Sequence, residues 1–554
     1  MGSRRRKIDA LQMRMILNNI STLCLIVDRT APPAKGNVMP NRSLHAKQID
    51  PAAGMKLAPP KRPRFHRTAI AMTLTVLLAG CAIPAKQSHP TLRDDVPLAG
   101  LQAPVRDGWP DAEWWRTYGD PQLDQLITIA MQHSPDLEEA HSRVVNAEQS
   151  VRVAAAQAGL NVNGSAQWER QRLSQNGIIS FLPKAFAIDP WYNQTDLGLQ
   201  AQYTFDWWGK KRSSIEAALD QAHAAEAQHS AAALTLQNAV ADTYFGWQGD
   251  QARLALSTEL VSAQEKLTHI AELRVKQGVD LADTEQQAKA QLAAAREMHV
   301  DLQGSAEIRK VALASLLGIA PAELPALQPR PLPQVDSRIP TDARLDLIAR
   351  RPDIAASRWQ VEAALKQTDV ARAQFFPDIG ISSMVGLSSL DLGKLLDAGS
   401  RTFALTPALH LPIFEGGQLK ANYGVSKAQL AAAVAQYNST VISAAHDVAT
   451  QALTAQQLAA RRTEQSAQIV ANERLLATAQ ARAYQGVRDA REGLNAAAQL
   501  LQQQDDAASL QAQAVSTDLA LIKALGGGYH AAVEPVPGET SSSSTAPSPV
   551  NPPL

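Results

Sequence analysis

Cys81 is the residue whose type and setting invite covalent chemistry. It follows Leu78-Ala79-Gly80 at the end of an apolar segment, Thr68 to Ala79, which itself follows a positive cluster of Lys61, Arg62, Arg64 and Arg67. A basic flank, an apolar core and small residues before a cut site form a secretory signal, so the chemistry expected there is peptide cleavage. Elsewhere the chain offers little for catalysis. No nucleotide-binding loop, no clustered metal ligands and no nucleophile motif stands out. The 12 histidines are scattered, and His223, His229, His269 and His299 fall on helix surfaces, where solvated or packed roles are the ordinary ones. The function expected is therefore not enzymatic, and no cofactor or metal is expected. The remaining polar groups of interest flank two glycine turns, Lys276-Gln277-Gly278-Val279-Asp280 and Tyr484-Gln485-Gly486-Val487-Arg488, the second followed by Asp489.

Leu78-Ala79-Gly80-Cys81 resembles the bacterial lipobox, in which the cysteine is acylated and becomes the first residue of the mature chain. Acyl chains contribute about 0.8 kcal/mol per buried CH2, so several of them hold a protein on a membrane durably. The next residue is Ala82 rather than Asp, which by the same resemblance directs the lipoprotein to the outer membrane. Signals begin near the start of a chain. Met55-Lys56 is thus the expected start, 55–80 the signal peptide, and 1–54 a mis-called or disordered leader. A lipidated, proline-punctuated tether is expected over 81–120.

The 554 residues carry 53 basic and 53 acidic side chains. That balance provides no basic field of the kind nucleic acid needs. Aromatics are only 5%, which suits alanine-rich helix packing better than a conventional core. Two cysteines, Cys24 and Cys81, form at most one disulfide and exclude a disulfide scaffold. No apolar run reaches the roughly 18 residues of a membrane-spanning helix.

The elements that position everything else are two long stretches, Gly209 to Gln277 and Gly417 to Gln485. Proline is absent from Trp191 to Ala320 and from Ile413 to Glu534, so nothing removes a helix hydrogen bond there. Ala, Gln, Leu, Glu and Arg dominate, and these are strong helix formers. Each stretch predicts one helix of about 100 Å, at about 1.5 Å per residue, ending where Gly278 or Gly486 supplies a left-handed cap. Return helices are expected from about Leu281 to Leu317 and from about Asp489 to Leu525. Leu256, Leu260, Ala263, Leu267 and Ile270 lie at heptad spacing and predict a packing seam.

The chain is written twice. Pro135-Asp136-Leu137 and Pro352-Asp353-Ile354 open matching short helices, ending near Ala158 and Phe375. Gln277-Gly278-Val279 and Gln485-Gly486-Val487 match in the long ones, and so do Leu317-Gly318 and Leu525-Gly526. The copies are expected at 121–320 and 342–528, joined by a proline-rich linker at 321–341, with Asp120 capping a short helix that begins at Pro121. A disordered tail is expected over 529–554. Between short and long helix of each copy the period becomes two. Leu160, Val162, Ala166 and Trp168 alternate with Asn161, Asn163, Gln167 and Glu169. Leu197, Leu199, Tyr203, Phe205 and Trp207 form a second apolar face. Ile379, Ile381, Val385 and Leu387 form a third, and Phe403, Leu405, Leu409, Leu411 and Ile413 a fourth. Strands of roughly 10 residues with one apolar face fit a lipid-facing barrel, and such barrels start at about eight strands. Four strands leave open edges that lipid does not tolerate, so the chain is expected to pool strands with copies of itself.

This order resembles the TolC/OprM-type outer membrane factors, in the NodT-like lipoprotein branch. The resemblance spans about 82–528 and rests on the lipobox, Trp114-Trp115 with Gly119-Asp120-Pro121-Gln122-Leu123, Phe205-Asp206-Trp207-Trp208-Gly209-Lys210, Arg351-Pro352-Asp353-Ile354 and the tip Tyr484-Gln485-Gly486-Val487. It implies a mainly α fold with a β-barrel portion: a homotrimer whose 12-strand outer-membrane barrel continues as a periplasmic α-helical barrel. It also implies partners, a periplasmic adaptor met by the tips at Gly278, Val279, Gly486 and Val487, and an inner-membrane efflux pump. The implied function is a passive, gated conduit for small molecules. In the family, acidic residues six and nine positions beyond the second tip glycine narrow the mouth; here those positions are Glu492 and Asn495, and only the first is acidic. A ring of Glu492 would favour cations, whereas an exposed helix glutamate is the plain alternative. Arg488 and Asp489 are candidates for gate-holding pairs. Two other readings stay open at this point: a lipid-anchored periplasmic coiled-coil scaffold without a pore, and a soluble lipoprotein binding module.

Overall fold

The computed structural model describes residues 84–93, 105–106, 108–174, 190–340, 343–486 and 489–530. Cys81, the signal at 55–80, the leader at 1–54, Val487, Arg488 and the tail beyond 530 lie outside the described residues. In chain order the elements are β1 (Val105–Arg106), α1 (Pro121–His133), α2 (Pro135–Ala158), β2 (Asn161–Arg172), β3 (Trp191–Phe205), α3 (Lys210–Lys276), α4 (Ala282–Leu316), β4 (Ile339–Pro340), α5 (Ala343–Arg350), α6 (Pro352–Ala373), β5 (Asp378–Ser389), β6 (Arg401–His410), α7 (Gln418–Tyr484) and α8 (Ala490–Ala524).

Helices α3 and α7 each run 67 residues without a break. Gly209 and Gly417 precede them with φ of 76° and 89°, and Gly278 and Gly486 follow with φ of 72° and 66°. Each end therefore sits in backbone space that favours glycine. Helix α3 packs against α2, α4, α6 and α8, and α7 packs against α6 and α8. The wall is thus four helices wide along its length: α2-α3-α6-α7 beside the sheet and α4-α3-α8-α7 toward the tips.

The expected heptad seam holds at Leu260, Ala263 and Leu267, which are buried. It is wider than expected: Ser257, Gln264, Thr268 and Ala271 are buried too, while Leu256 and Ile270 are half-buried. A helix touching α4 on one flank and α8 on the other must bury two adjoining stripes, and polar residues enter the second.

The duplication is visible in packing. A Cβ on Gly318 would stand 2.4 Å from the His133 carbonyl oxygen, and one on Gly526 would stand 1.9 Å from that of Arg350. Each glycine thus lets the end of a return helix lie against the backbone just before a Pro-Asp helix, at equivalent places in both copies. Arg351 shows what its motif does: it is buried, donates to both carboxylate oxygens of Asp353 at 3.0 and 2.7 Å, and donates to the Ala524 carbonyl at 2.9 Å. Trp114 and Trp115 likewise join a core with Leu123, Ile127, Val240, Tyr244, Leu313 and Leu519. Asp120 caps α1 through the Gln122 N–H at 2.9 Å and accepts from the Tyr244 hydroxyl at 2.7 Å.

The four long strands form one antiparallel sheet in the order β2-β3-β5-β6. Val162 pairs with Ala201, Leu199 with Val385, Tyr203 with Ile381 and Val385 with Phe403, so the apolar residues of all four strands share one face. Two strand ends differ from expectation. Trp207 lies past the end of β3, because Asp206 accepts from the Lys211 and Arg212 N–H groups at 3.0 and 2.9 Å and so starts α3. Leu411 and Ile413 lie past the end of β6 at His410, where Pro412 has no N–H to donate. Strand β3 also begins earlier than expected, at Trp191.

Candidate functional site

Two parts of the chain have a geometry that calls for a function: the sheet and the tips. On the sheet, one face is apolar and exposed. Leu199, Trp168, Leu409 and Phe403 are 60%, 62%, 67% and 70% exposed, far more than the interior of a fold allows residues of this type. The opposite face carries Asn161, Asn163, Ser165, Gln167, Gln200, Gln202, Thr204, Ser382, Thr402 and Thr406, with Glu169, Asp196 and Asp378 as its acidic members, a polar, water-compatible lining. Strands β2 and β6 each pair on one side only. Strands β2, β3 and β5 meet the helices at tied junctions. Lys211 donates to the carbonyls of Ala158 and Thr204, both at 2.8 Å. Lys210 pairs with Asp378 at 3.1 Å. Trp208 donates to the Pro377 carbonyl at 2.9 Å and stacks on Phe376 at 4.6 Å.

At the tips, four charges from both copies form one network. Arg274 donates to both Asp280 oxygens at 2.8 and 3.1 Å and to Asp489 at 3.4 Å. Arg491 donates to Asp489 and Asp280, each at 3.0 Å. Asp489 is also the N-cap of α8, accepting from the Arg491 N–H. The hydrogen bond from Arg274, with Arg491 beside it, holds the Asp280 carboxyl below the usual carboxylate range. The backbone N–H of Arg491 and its guanidinium do the same for Asp489. Of the residues expected here, the structure brings Asp489 into a pair, while Gly278 and Val279 sit exposed at the first turn and Gly486 at the second. Glu492 is half-buried in the first turn of α8 and Asn495 is exposed. Sequence reading missed Arg274 and Arg491 and gave Asp280 only as part of its turn; Arg274 lies 215 residues from Asp489 and Arg491 lies 211 from Asp280, and only the duplicated position of the two turns hinted that they meet.

The tether after Cys81 is fixed to the wall. Arg372 donates to the Pro84 carbonyl at 2.8 Å and Tyr423 to that of Ala85 at 3.1 Å. The Arg93 N–H donates to Asn438 at 3.1 Å. The four histidines singled out do not gather: His299 meets the Ser257 hydroxyl at 3.0 Å, His223 packs edge-on to Trp359, and His229 on His141. Among the described residues no group of His, Cys, Asp and Glu is placed to hold a metal ion, and no helix is long and apolar enough to cross a membrane.

Known proteins share this arrangement. The family model for outer membrane efflux proteins matches residues 126–319 and 345–527. The multidrug resistance outer membrane protein MdtP of Escherichia coli K12 is 33% identical over 470 residues, covering 82% of this chain and 95% of the relative. MdtQ of Escherichia coli O157:H7 is 31% identical over 477 residues, covering 84% and 99%. The crystal structure of the outer membrane protein VceC of Vibrio cholerae superposes with a TM-score of 0.68 at 34% identity, covering 76% of this chain and all of VceC. The open state of the Neisseria gonorrhoeae MtrE outer membrane channel gives a TM-score of 0.64 at 27% identity, covering 80% and 96%. With two matching copies, one apolar sheet face and near-complete coverage of its relatives, the chain belongs to the outer membrane efflux protein family.

Proposed function

We propose that three copies of the chain close a gated conduit through the outer membrane, and that the conduit is the exit duct of a tripartite efflux system. The observation that carries this reading is the four-stranded sheet with an exposed apolar face and two open edges. Strand β2 runs away from the helices and β6 runs back, so β6 of one copy meets β2 of the next antiparallel, and three copies supply 12 strands. That satisfies the backbone at both edges, which lipid demands, and turns the Asn/Gln/Ser/Thr face toward a lumen. The helical wall continues the same order of elements away from the membrane. The conduit is passive; an inner-membrane pump supplies the work, and a periplasmic adaptor meets the tips at Gly278, Val279, Gly486 and Val487. The exported cargo is of small-molecule size, in line with relatives named for multidrug resistance.

Lipidation of Cys81 fits the path of the tether. Three residues reach at most roughly 11 Å, and Pro84 is held by Arg372, at the sheet end of α6. An acyl group on Cys81 would thus lie beside the barrel rim. The signal at 55–80, the tether at 81–120, the linker at 321–341 and the two copies at 121–320 and 342–528 divide the chain by role. At the tip, the Arg274–Asp280–Arg491–Asp489 network clasps the two turns of one chain, and Glu492 and Asn495 line the mouth. Single-channel recording of purified protein in planar bilayers tests the reading: discrete conductance steps are expected, and their absence would favour the pore-less scaffold.

A further inference from the structure

The outer end of the apolar sheet face is basic. Strand alternation places Arg170 and Arg172 on the same face as Val162 and Trp168, at the end of β2 farthest from the helices. Trp191, paired across from Arg172, stands under both guanidiniums, with ring centroids 5.4 Å from Arg170 and 5.9 Å from Arg172. Such cation–π contacts orient a guanidinium without neutralising it. Both arginines are exposed, and neither has an ion pair among the described residues. Arg401, paired with Leu387, lies on this face at the outer end of β6 and is exposed as well. The acidic neighbour Glu169 alternates to the lumen side; Asp391 and Asp397, with Lys394, are in the turn after β5. A tryptophan girdle at the level of the headgroups belongs on a barrel. Three unneutralised arginines facing lipid need an anion at the same depth.

Topology adds the third arginine to the first two. Closing the barrel pairs β6 of one copy with β2 of its neighbour, which puts Arg401 and the Arg170-Arg172 pair on the two strands of each seam, toward its outer end. Resting on the barrel reading above, we propose that Arg170 and Arg172 of one copy and Arg401 of the next form a rim site, three per trimer, for the phosphate groups of an outer-leaflet glycolipid. Arginine suits this ligand because its planar fork binds phosphate oxygens in pairs, while Trp168 and Trp191 cover the sugar–acyl boundary.

The test uses the detergent-purified trimer and, as probes, bis-phosphorylated lipid A, its dephosphorylated form and phosphatidylethanolamine, read by native mass spectrometry. Wild-type protein is expected to retain lipid A in up to three copies, at least tenfold more tightly than the dephosphorylated form, and to lose it as salt rises. Arg170→Gln/Arg172→Gln/Arg401→Gln is expected to lose that tenfold preference. Glu169→Gln, on the opposite face, is expected to keep it. Single variants Arg170→Gln and Arg401→Gln serve if the triple variant does not assemble, each with a several-fold loss. Equal retention of both lipid A forms, or unchanged retention by variants that still trimerise and conduct, would overturn the proposal. Loss of conductance steps in wild-type protein would instead overturn the barrel reading, so the two failures are distinguishable.

Discussion

Arg351 ties three segments with one guanidinium: it locks Asp353 at the start of α6, ends α8 through the Ala524 carbonyl and reaches Asp447 on α7 at 3.4 Å. Hydrogen bonds to charged groups contribute about 1.5–3 kcal/mol each, so Arg351→Ala is expected to cost about 2–3 kcal/mol, read as a lower dissociation temperature of the trimer. Gly526→Ala acts by geometry alone. With φ of 96° and a Cβ placed 1.9 Å from the Arg350 oxygen, it is expected to destabilise by more than about 1 kcal/mol in the same melt, whereas Gly304→Ala, which meets nothing within 4 Å, is expected to be neutral or stabilising. The tip clasp titrates. Because the carboxyls of Asp280 and Asp489 are held down by their arginines, the clasp is intact above the usual carboxylate range and is lost as pH falls through the lowered values. Asp280→Asn and Asp489→Asn are therefore expected to raise open probability at neutral pH severalfold and to flatten its rise with acid, measured in single-channel recordings.

At the scale of elements, the ends of α3 and α7 were legible because glycine punctuates a proline-free, alanine-rich run, and α2 and α6 because Pro-Asp opens each. The faces of the strands were legible from a period of two, but their ends were not: Asp206 had to be seen accepting from α3 to end β3, and Pro412 ends β6. The tip network was legible only in part: Asp489 stood beside its turn as a pairing candidate, but Arg274 and Arg491 look like any solvated helix charges until the two turns are side by side. The α3–α6 contact hides another such group. Asp220 is 9% exposed, and burial pushes its carboxyl up to about 6, against the pull of Lys366 and His223 and with the repulsion of Glu362 and Glu216. A raised carboxyl contributes most below its unfolded value and progressively less as pH rises through about 6. Asp220→Asn is thus expected to stabilise the protein at pH 7 by on the order of 1–2 kcal/mol and to remove the fall in stability between about pH 4 and 6, measured by melting temperature against pH.

For the whole molecule, the account turns on a chain that holds one third of a wall. The strand order β2-β3-β5-β6 repeats in the helices as α2-α3-α6-α7, so sheet and helices leave their open edges on the same two flanks, and a neighbouring copy on each flank closes sheet and helices together. That correspondence explains how an exposed apolar sheet, a polar lining and a four-wide helical layer coexist in one sequence without a conventional core. The most direct measurement is the mass of the detergent-extracted particle by native mass spectrometry. The account predicts a complex of three chains that dissociates only when the sheet unfolds. A stable single chain, with its apolar face covered by its own residues, would contradict it.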